Sequence, residues 1–183
     1  MELAAANELL AFWFSDEAKK RWFNSTVGFD DLLRERYQAL YSSAKNGELD
    51  DWKQTPEGAL ALVILFDQIP LNIYRGKPQS FATEQRARDV AQHAIDHGLD
   101  RSLADSHKVF LYMPFMHSEN IDDQNKAVEL FEQAGLKENL RFAKHHRQII
   151  EKFGRFPHRN NILGRSSTTD EIDYLDSPVG FHG

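Results

Sequence analysis

The sequence predicts an all-α protein, built as a single-domain array of antiparallel helical hairpins. Apolar residues recur at helical spacing through most of the 183 residues, and the alternation typical of strands is nearly absent. Glycines and prolines separate seven or eight predicted helices with short connections. There is no strict repeat, but units of roughly 34 residues are compatible with this spacing. We expect one helical domain over residues 1–176 and a loose tail over 177–183.

The first three predicted helices have clear start or stop signals. Helix one is expected over Leu3–Phe14, and helix two over about Asp30–Lys45, because Asn46-Gly47 is a good C-terminal cap. Pro56 suits the first turn of helix three, which is expected to end near Asp67. The residue before Pro70 is disfavoured in helical geometry, so the proline is expected to break this helix.

The later helices are bounded in the same way. Ser80 or Thr83 can cap helix four, which is expected to end at Gly98. Helix five is expected from about Ser102 to Met113, where Pro114 should kink or stop it. The remaining predicted helices run from Ser118 or Asn120 to Gly135, from Lys137 to Phe153 before Gly154, and for a short distance after Thr168 or Thr169.

Composition and charge exclude several classes of function. The net charge is −6, so the basic excess of a general nucleic-acid-binding protein is missing. The absence of cysteine excludes disulfides and thiol chemistry and is natural for a cytoplasmic protein. The N-terminus does not resemble a signal peptide, and the longest apolar run, Ala59 to Phe66, is too short to span a bilayer. We therefore expect a cytoplasmic protein with neither nucleic-acid nor membrane partners.

A polar turn follows the apolar third helix. Asp67 and Gln68 end the helix, and Asn72 and Arg75 stand one turn apart. These residues form a candidate ligand clamp, in which Gln68, Asn72 and Arg75 bind and Asp67 is a candidate general base. The alternative is that Arg75 pairs with Asp67 and the amides satisfy helix ends.

Two candidate proton carriers lie in the second half of the chain. His117 and Glu119 flank Ser118 just before a predicted helix start, where they could act as an acid–base pair or form an ordinary N-cap. His146 shares a helix face with apolar residues and is expected to face inward, as a catalytic residue or as a hydrogen-bonded core histidine. The residues predicted on its face are Phe142, Ala143, Ile149, Ile150 and Phe153.

The stretch from Phe153 to Thr168 is the densest polar segment. Arg155, Arg159 and Arg165 offer forked donors for a carboxylate or phosphate, and Asn160 adds an amide. His158 follows a proline and is a further catalytic candidate. We interpret the stretch as a polar pocket, with the turn at 67–76 as its partner. Alternatively, its arginines bond helix carbonyls and the acidic residues of neighbouring helices.

No metal or cofactor is expected. His93 and His97 have the i, i+4 spacing of a two-histidine metal face, but no third ligand is evident nearby. The sequence also has no phosphate-binding glycine loop, nucleophile elbow or dinucleotide fingerprint.

Several segments together resemble one family, the uncharacterised and largely bacterial domain-of-unknown-function family numbered 924. The resemblance runs from about Leu9 to Leu175 and implies a tetratricopeptide-like helical fold, but it supplies no reaction, cofactor or partner. One departure is Leu71, where the family's turn often has a basic residue, so no ligand role is expected there. The segments that carry the resemblance are Phe12-Trp13-Phe14, Trp52, Leu60 to Gly76, Phe110 to Glu119, and Gly154 to Thr168.

Three functions remain open from the sequence. The first is a binding protein for a small anion or a peptide carboxylate. The second is a hydrolase that uses histidine and carboxylate acid–base chemistry, with arginines stabilising an oxyanion. The third is a structural or protein-interaction module, whose polar motifs only hold helices together. The oligomeric state cannot be read from the sequence.

Overall fold

The computed structural model describes residues 2–183 and shows an all-α protein, which confirms the predicted fold class. The described residues form α-helices joined by short 3-10 helices and turns, and no strand occurs among them. These helices are compatible with a tetratricopeptide-like arrangement.

The helices begin and end close to the predicted positions. Helix α9 has the predicted bounds and ends at Gly154, whose φ of 69° favours glycine. Thr26, Thr55, Asn120 and Thr168 each accept an N-cap hydrogen bond through the side chain. The α-helices are α1 (Glu2–Trp13), α2 (Asp16–Lys19), α3 (Val27–Lys45), α4 (Pro56–Val63), α5 (Ile69–Ile73), α6 (Glu84–Asp96), α7 (Asp105–Met116), α8 (Ile121–Gln133), α9 (Lys137–Phe153) and α10 (Thr169–Asp176).

The predicted break at Pro70 is wrong. A π-helical turn, Ile64–Gln68, joins α4 to α5, and Ile69 is helical with φ −59° and ψ −47°. The Ile69 N–H donates to the Ile64 carbonyl, five residues back, so the helix widens by one residue before the proline. Since Pro70 has no N–H, the Phe66 carbonyl instead accepts a hydrogen bond of 2.7 Å from the Thr83 hydroxyl.

Pro114 was expected to kink or stop its helix, and the stop is wrong, because α7 continues through Pro114 to Met116. The seven residues from Phe110 to Met116 are all buried. The free energy gained by burying this apolar stretch exceeds the cost of the one backbone hydrogen bond that the proline removes, so the helix stays continuous.

The chain divides into two compact units. The first comprises the described residues up to Arg75 together with Gln79–Pro114, and the second comprises Gly76–Pro78 together with Phe115–Gly183. In the first unit, α4 packs against α1 and α6, and α5 packs against α3. The continuous helix Pro56–Ile73 is long and apolar enough to cross a membrane, but 83% of it is buried, as in the core helix of a soluble protein.

In the second unit, α8 and α9 form a helical hairpin, and α10 packs against the short 3-10 helix Pro157–Arg159. Ile149, Ile150 and Phe156 form its apolar core, against which Tyr174 and Phe181 pack. Phe181 lies in the segment predicted to be a loose tail. That prediction, like the single domain over 1–176, stays a prediction.

Candidate functional site

The polar turn predicted at 67–76 is a continuation of the core helix of the first unit. Asp67 and Gln68 are buried in the π-helical turn. The Gln68 amide donates to the Asp67 carboxylate and to the sulfur of Met113, and the Asn72 amide donates to the Gln68 carbonyl at 2.9 Å. Both amides therefore make hydrogen bonds within this unit.

Arg75 pairs with Asp30. The alternative interpretation of the turn had paired it with Asp67 instead. The Arg75 guanidinium donates to both oxygens of the Asp30 carboxylate, at 2.7 and 3.1 Å, and to the Asn72 amide oxygen at 3.0 Å. Ser25 also donates to Asp30, at 2.7 Å. The hydrogen bond with Asp30 raises the pKa of Arg75 above its ordinary value. The carboxylate of Asp30, on α3, thus holds Arg75 in place.

In the second unit, Glu119 accepts hydrogen bonds from Arg165. Two guanidinium nitrogens of Arg165 donate to the two Glu119 oxygens, at 2.7 and 2.9 Å, and the Phe156 N–H donates at 2.8 Å. Burial alone would raise the pKa of Glu119, but the bonds from Arg165 and the Phe156 N–H outweigh it, and the pKa lies below its usual range. A carboxylate stabilised in this way is a weak general base at neutral pH.

Arg155 has a carboxylate partner of its own, Glu171 on α10. Its guanidinium donates to Glu171 at 2.6 and 2.9 Å, and the Asn160 amide donates to the same carboxylate at 3.2 Å. The bond from Arg155 lowers the pKa of Glu171 to about 2. Thr168 and Glu171 also form a capping box at the start of α10. Arg155 and Arg165 therefore attach the 154–168 stretch to α10 and to the loop that precedes α8.

His146 faces inward, as predicted from its helix face, although Phe142 on the same predicted face is exposed. Its Nδ1 lies 2.8 Å from the Phe142 carbonyl. Because a carbonyl only accepts, Nδ1 carries the proton and Nε2 carries the lone pair. Burial lowers the pKa of His146 to about 4, so the imidazole is neutral at pH 7.

His158 and Arg159 lie beside this imidazole. Burial, with the positive charge of Arg159, lowers the pKa of His158 to about 3. The Nδ1 atom of His158 is buried and has no hydrogen-bond partner among residues 2–183. Arg159 is buried, donates to the His117 carbonyl at 2.9 Å, and lies 4.8 Å from the centroid of the Phe156 ring. We call His146, His158 and Arg159 the histidine–arginine cluster.

The predicted site residues fall into two groups, one in each unit. The expectation that the two groups form one pocket stays a prediction, as does every catalytic and ligand-binding role. The first unit holds Asp67, Gln68, Asn72 and Arg75. The second holds His117, Glu119, His146, Arg155, His158, Arg159, Asn160 and Arg165.

Sequence reasoning missed three residues that contact the predicted ones. The pattern Thr168-x-x-Glu171 before an apolar residue is the signature of a capping box and could have pointed to Glu171. Asp30 and Phe181 carry no such local signal. Their contacts depend on the tertiary fold alone.

Neither of two clefts on the first unit contains a predicted site residue. They have volumes of about 580 and 570 Å³ and lie along α3. The part of the chain that the structure describes also has no group of three or more His, Asp or Glu residues placed to hold a metal ion. His93 and His97 stack on each other, with ring centroids 4.1 Å apart.

The fold and the polar ties define an all-α protein with a buried histidine–arginine cluster in its second unit. The chain belongs to the family described as "Bacterial protein of unknown function (DUF924)", whose model matches residues 9–179. A solved structure of the protein of unknown function ATU0120 from Agrobacterium tumefaciens is similar, with 38% identity and a TM-score of 0.91. That match covers 96% of this chain and 99% of the other. No curated protein shows significant similarity to the chain.

Proposed function

We propose that the protein binds a small anionic ligand, a carboxylate or a phosphate, at the histidine–arginine cluster. The observation that carries the proposal is the buried Nδ1 of His158, which has no hydrogen-bond partner among the described residues although Arg159 lies beside it. Buried polar atoms are nearly always hydrogen-bonded. An anion with acceptor oxygens would bond a protonated Nδ1 and interact favourably with the guanidinium.

The electrostatics of the cluster support the same proposal. Both imidazoles are neutral at pH 7, and the charge of Arg159 contributes to the low pKa of each. A bound anion would reverse that effect, because a negative charge favours the protonated imidazole. We therefore expect ligand binding to be accompanied by proton uptake.

Arg155, Asn160 and Arg165 have supporting roles in this proposal. Arg155 and Asn160 donate to Glu171, and Arg165 donates to Glu119 and to the Asn160 amide oxygen, so these hydrogen bonds fix the loop that carries His158. A second candidate function follows from the same contacts. Two arginines that each chelate an internal carboxylate favour a structural or protein-interaction module, in which the polar stretch only holds helices together.

The other interpretations stay predictions. A hydrolase would require one of the imidazoles to act as a base, and turnover of a bound ester or phosphoester would be its test. The clamp role of Gln68, Asn72 and Arg75, the cytoplasmic location, and the absence of nucleic-acid and membrane partners likewise stay predictions from the sequence.

A thermal-shift experiment tests the proposed function. Wild type and His158→Phe are melted in sodium phosphate, in sodium acetate, and in sodium chloride of equal ionic strength. Phenylalanine keeps a ring in the apolar surroundings of position 158 but has no nitrogen. The matched control is His97→Phe, at an exposed position on the C-terminal end of α6.

A ligand that binds only the folded state raises Tm by an amount that increases with the logarithm of its concentration relative to Kd. We expect phosphate or acetate to raise the Tm of wild type and of His97→Phe above the chloride value, and to leave His158→Phe unchanged relative to chloride. An equal rise in all three proteins would be a general salt effect and would contradict a site at the cluster. No rise in any of them would favour the structural module.

A further inference from the structure

The segment 177–183 folds back from the end of α10 onto the histidine–arginine cluster. The Ser177 hydroxyl donates to the Tyr174 carbonyl at 2.6 Å, and the Gly180 N–H donates to the Ser177 carbonyl at 3.0 Å. The Phe181 N–H then donates to the Tyr174 hydroxyl at 3.2 Å. This turn places the Phe181 side chain against the second unit's core.

Gly180 is required for the turn because of close packing. A Cβ atom at this position would lie 2.5 Å from the Leu175 carbonyl oxygen and 2.7 Å from that of Tyr174. Both oxygens belong to the last turn of α10. Any larger residue would move the chain away from α10 and would move Phe181 with it.

The Phe181 ring contacts both imidazoles of the cluster. Its centroid lies 4.6 Å from that of His146 and 5.0 Å from that of His158, each in an edge-to-face arrangement. The same two imidazoles also contact Phe156, at 5.6 and 5.7 Å. The ring therefore occupies an aromatic slot at the buried imidazoles where the anion is proposed to bind.

We propose that the segment 178–183 is a displaceable cover and that the ligand is an aromatic carboxylate whose ring takes the place of Phe181. The proposal rests on the proposed anion site and names its ligand class. A bare anion that displaced the segment would not replace the ring contacts that Phe181 makes with both imidazoles, which would then keep only Phe156. A ring that carries a carboxylate satisfies both halves of the site, the ring in the slot and the charge at Arg159 and the imidazole nitrogens.

Few hydrogen bonds hold the cover in place, and part of it is exposed to solvent. Phe181 is half-buried, and Val179 beside it is 69% exposed. The segment has no helix, and its backbone is attached to the rest of the unit through single hydrogen bonds. A segment without helical structure that is held by so few hydrogen bonds opens at a lower free energy than a packed helix.

Competition between Phe181 and the ligand provides the test. Benzoate, acetate and benzyl alcohol are titrated into wild type, Phe181→Ala and the control Val179→Ala by isothermal calorimetry. If Phe181 occupies the ligand's place, the apparent affinity of wild type is reduced by the fraction of molecules with an open cover. We expect Phe181→Ala to bind benzoate about tenfold more tightly than wild type or more. Val179→Ala should match wild type.

Each other outcome identifies which proposal fails. Equal benzoate affinity in wild type and Phe181→Ala, with acetate binding to both, overturns the cover and retains the anion site. An equal gain for benzyl alcohol and benzoate also overturns the inference, because the slot would then be only an apolar hole. If none of the probes binds any of the three proteins, the proposed function itself fails. If Phe181→Ala does not fold, Phe181→Leu replaces it; leucine fills the slot less completely than the ring does, so we expect a smaller gain in benzoate affinity in the same direction, and no gain would overturn the cover.

Discussion

The polar turn at 67–76 and the Arg/His stretch at 154–168 have comparable polar sequences but differ in what their side chains contact. In the first, Arg75 chelates Asp30, and the amides of Gln68 and Asn72 bond groups on the same helix. In the second, Arg155 and Arg165 chelate carboxylates in the same way, but a buried imidazole, His146, and a half-buried one, His158, lie beside Arg159 and are both neutral at pH 7.

This difference shows that residue density alone does not mark a site. A guanidinium with a bidentate carboxylate partner is a tie between structural elements. A buried imidazole that is kept neutral next to a guanidinium lies in an environment that an anion would improve. The histidine–arginine cluster is therefore a stronger candidate than the turn, although the sequence favoured both.

The largest expected effect is at the tie between Glu119 and Arg165. Glu119→Ala removes the partner of a half-buried guanidinium and of the Phe156 N–H, and should lower the free energy of unfolding by about 3 kcal/mol. Urea denaturation measures the loss. The control is Glu138→Ala, whose pair with Arg141 is exposed at 3.8 Å and should contribute less than about 0.5 kcal/mol. Equal losses would show that the tie is not structural.

In the first unit, the hydroxyl of Thr83 has the next largest expected effect. Thr83→Val keeps the shape but leaves the buried Phe66 carbonyl without its donor, at a cost of about 2 kcal/mol. Ser42→Ala is the control, because its hydroxyl also bonds a helix carbonyl, at 2.9 Å, but is exposed. A loss no greater than that of the control would contradict our account of the π-helical turn.

The cluster should make stability depend on pH. In the unfolded chain, histidines become protonated as the pH falls below about 6.5. In the folded protein, His146 becomes protonated only near pH 4 and His158 only near pH 3. The free energy of unfolding therefore falls with pH, by at most about 1.4 kcal/mol per pH unit for each imidazole. Urea denaturation between pH 7 and 5 measures the slope, in a range where Glu171, with its pKa of about 2, stays ionised.

His158→Phe should reduce this slope, whereas His97→Phe, at an exposed position, should retain it. An unchanged slope in His158→Phe would mean that His158 does not resist protonation in the folded protein.

The smallest effect is expected at Arg75. Its side chain is 56% exposed, and Asp30 keeps the bond from Ser25 when the arginine is replaced. Arg75→Gln should therefore cost about 1 kcal/mol in urea denaturation. A loss as large as that of Glu119→Ala would remove the energetic difference between the two regions.

The sequence was sufficient for most helix boundaries, because caps and glycines act locally. Thr168, Gly154 and Pro56 specify helix ends through their own backbone and side-chain bonds. The break at Pro70 was wrong because a distant residue compensates for the missing N–H, and the stop at Pro114 was wrong because the apolar stretch from Phe110 to Met116 is buried as one helix. Thr83 lies 17 residues from the carbonyl that it bonds, and no pattern within one helix indicates that contact.

The carboxylate partners of the arginines could not be predicted from the sequence either, because they are distant along the chain. Arg75 and Asp30 are 45 residues apart, and Arg165 and Glu119 are 46 apart. The inward face of His146 could be predicted from helical spacing, whereas its contact with Phe181 could not. Local periodicity gives the direction of a side chain on a helix, but its neighbours come from the tertiary fold.

We expect an anion to bind at the histidine–arginine cluster, and proton-linked calorimetry can detect both this binding and the accompanying protonation. Sulfate, which has the geometry of phosphate but does not titrate at pH 6, is titrated into wild type and His158→Phe in two buffers with different ionisation enthalpies. We predict saturable binding to wild type with net proton uptake, because the anion raises the pKa of the buried imidazoles, and a loss of that uptake in His158→Phe. Binding without proton uptake, or identical behaviour of the two proteins, would contradict this expectation.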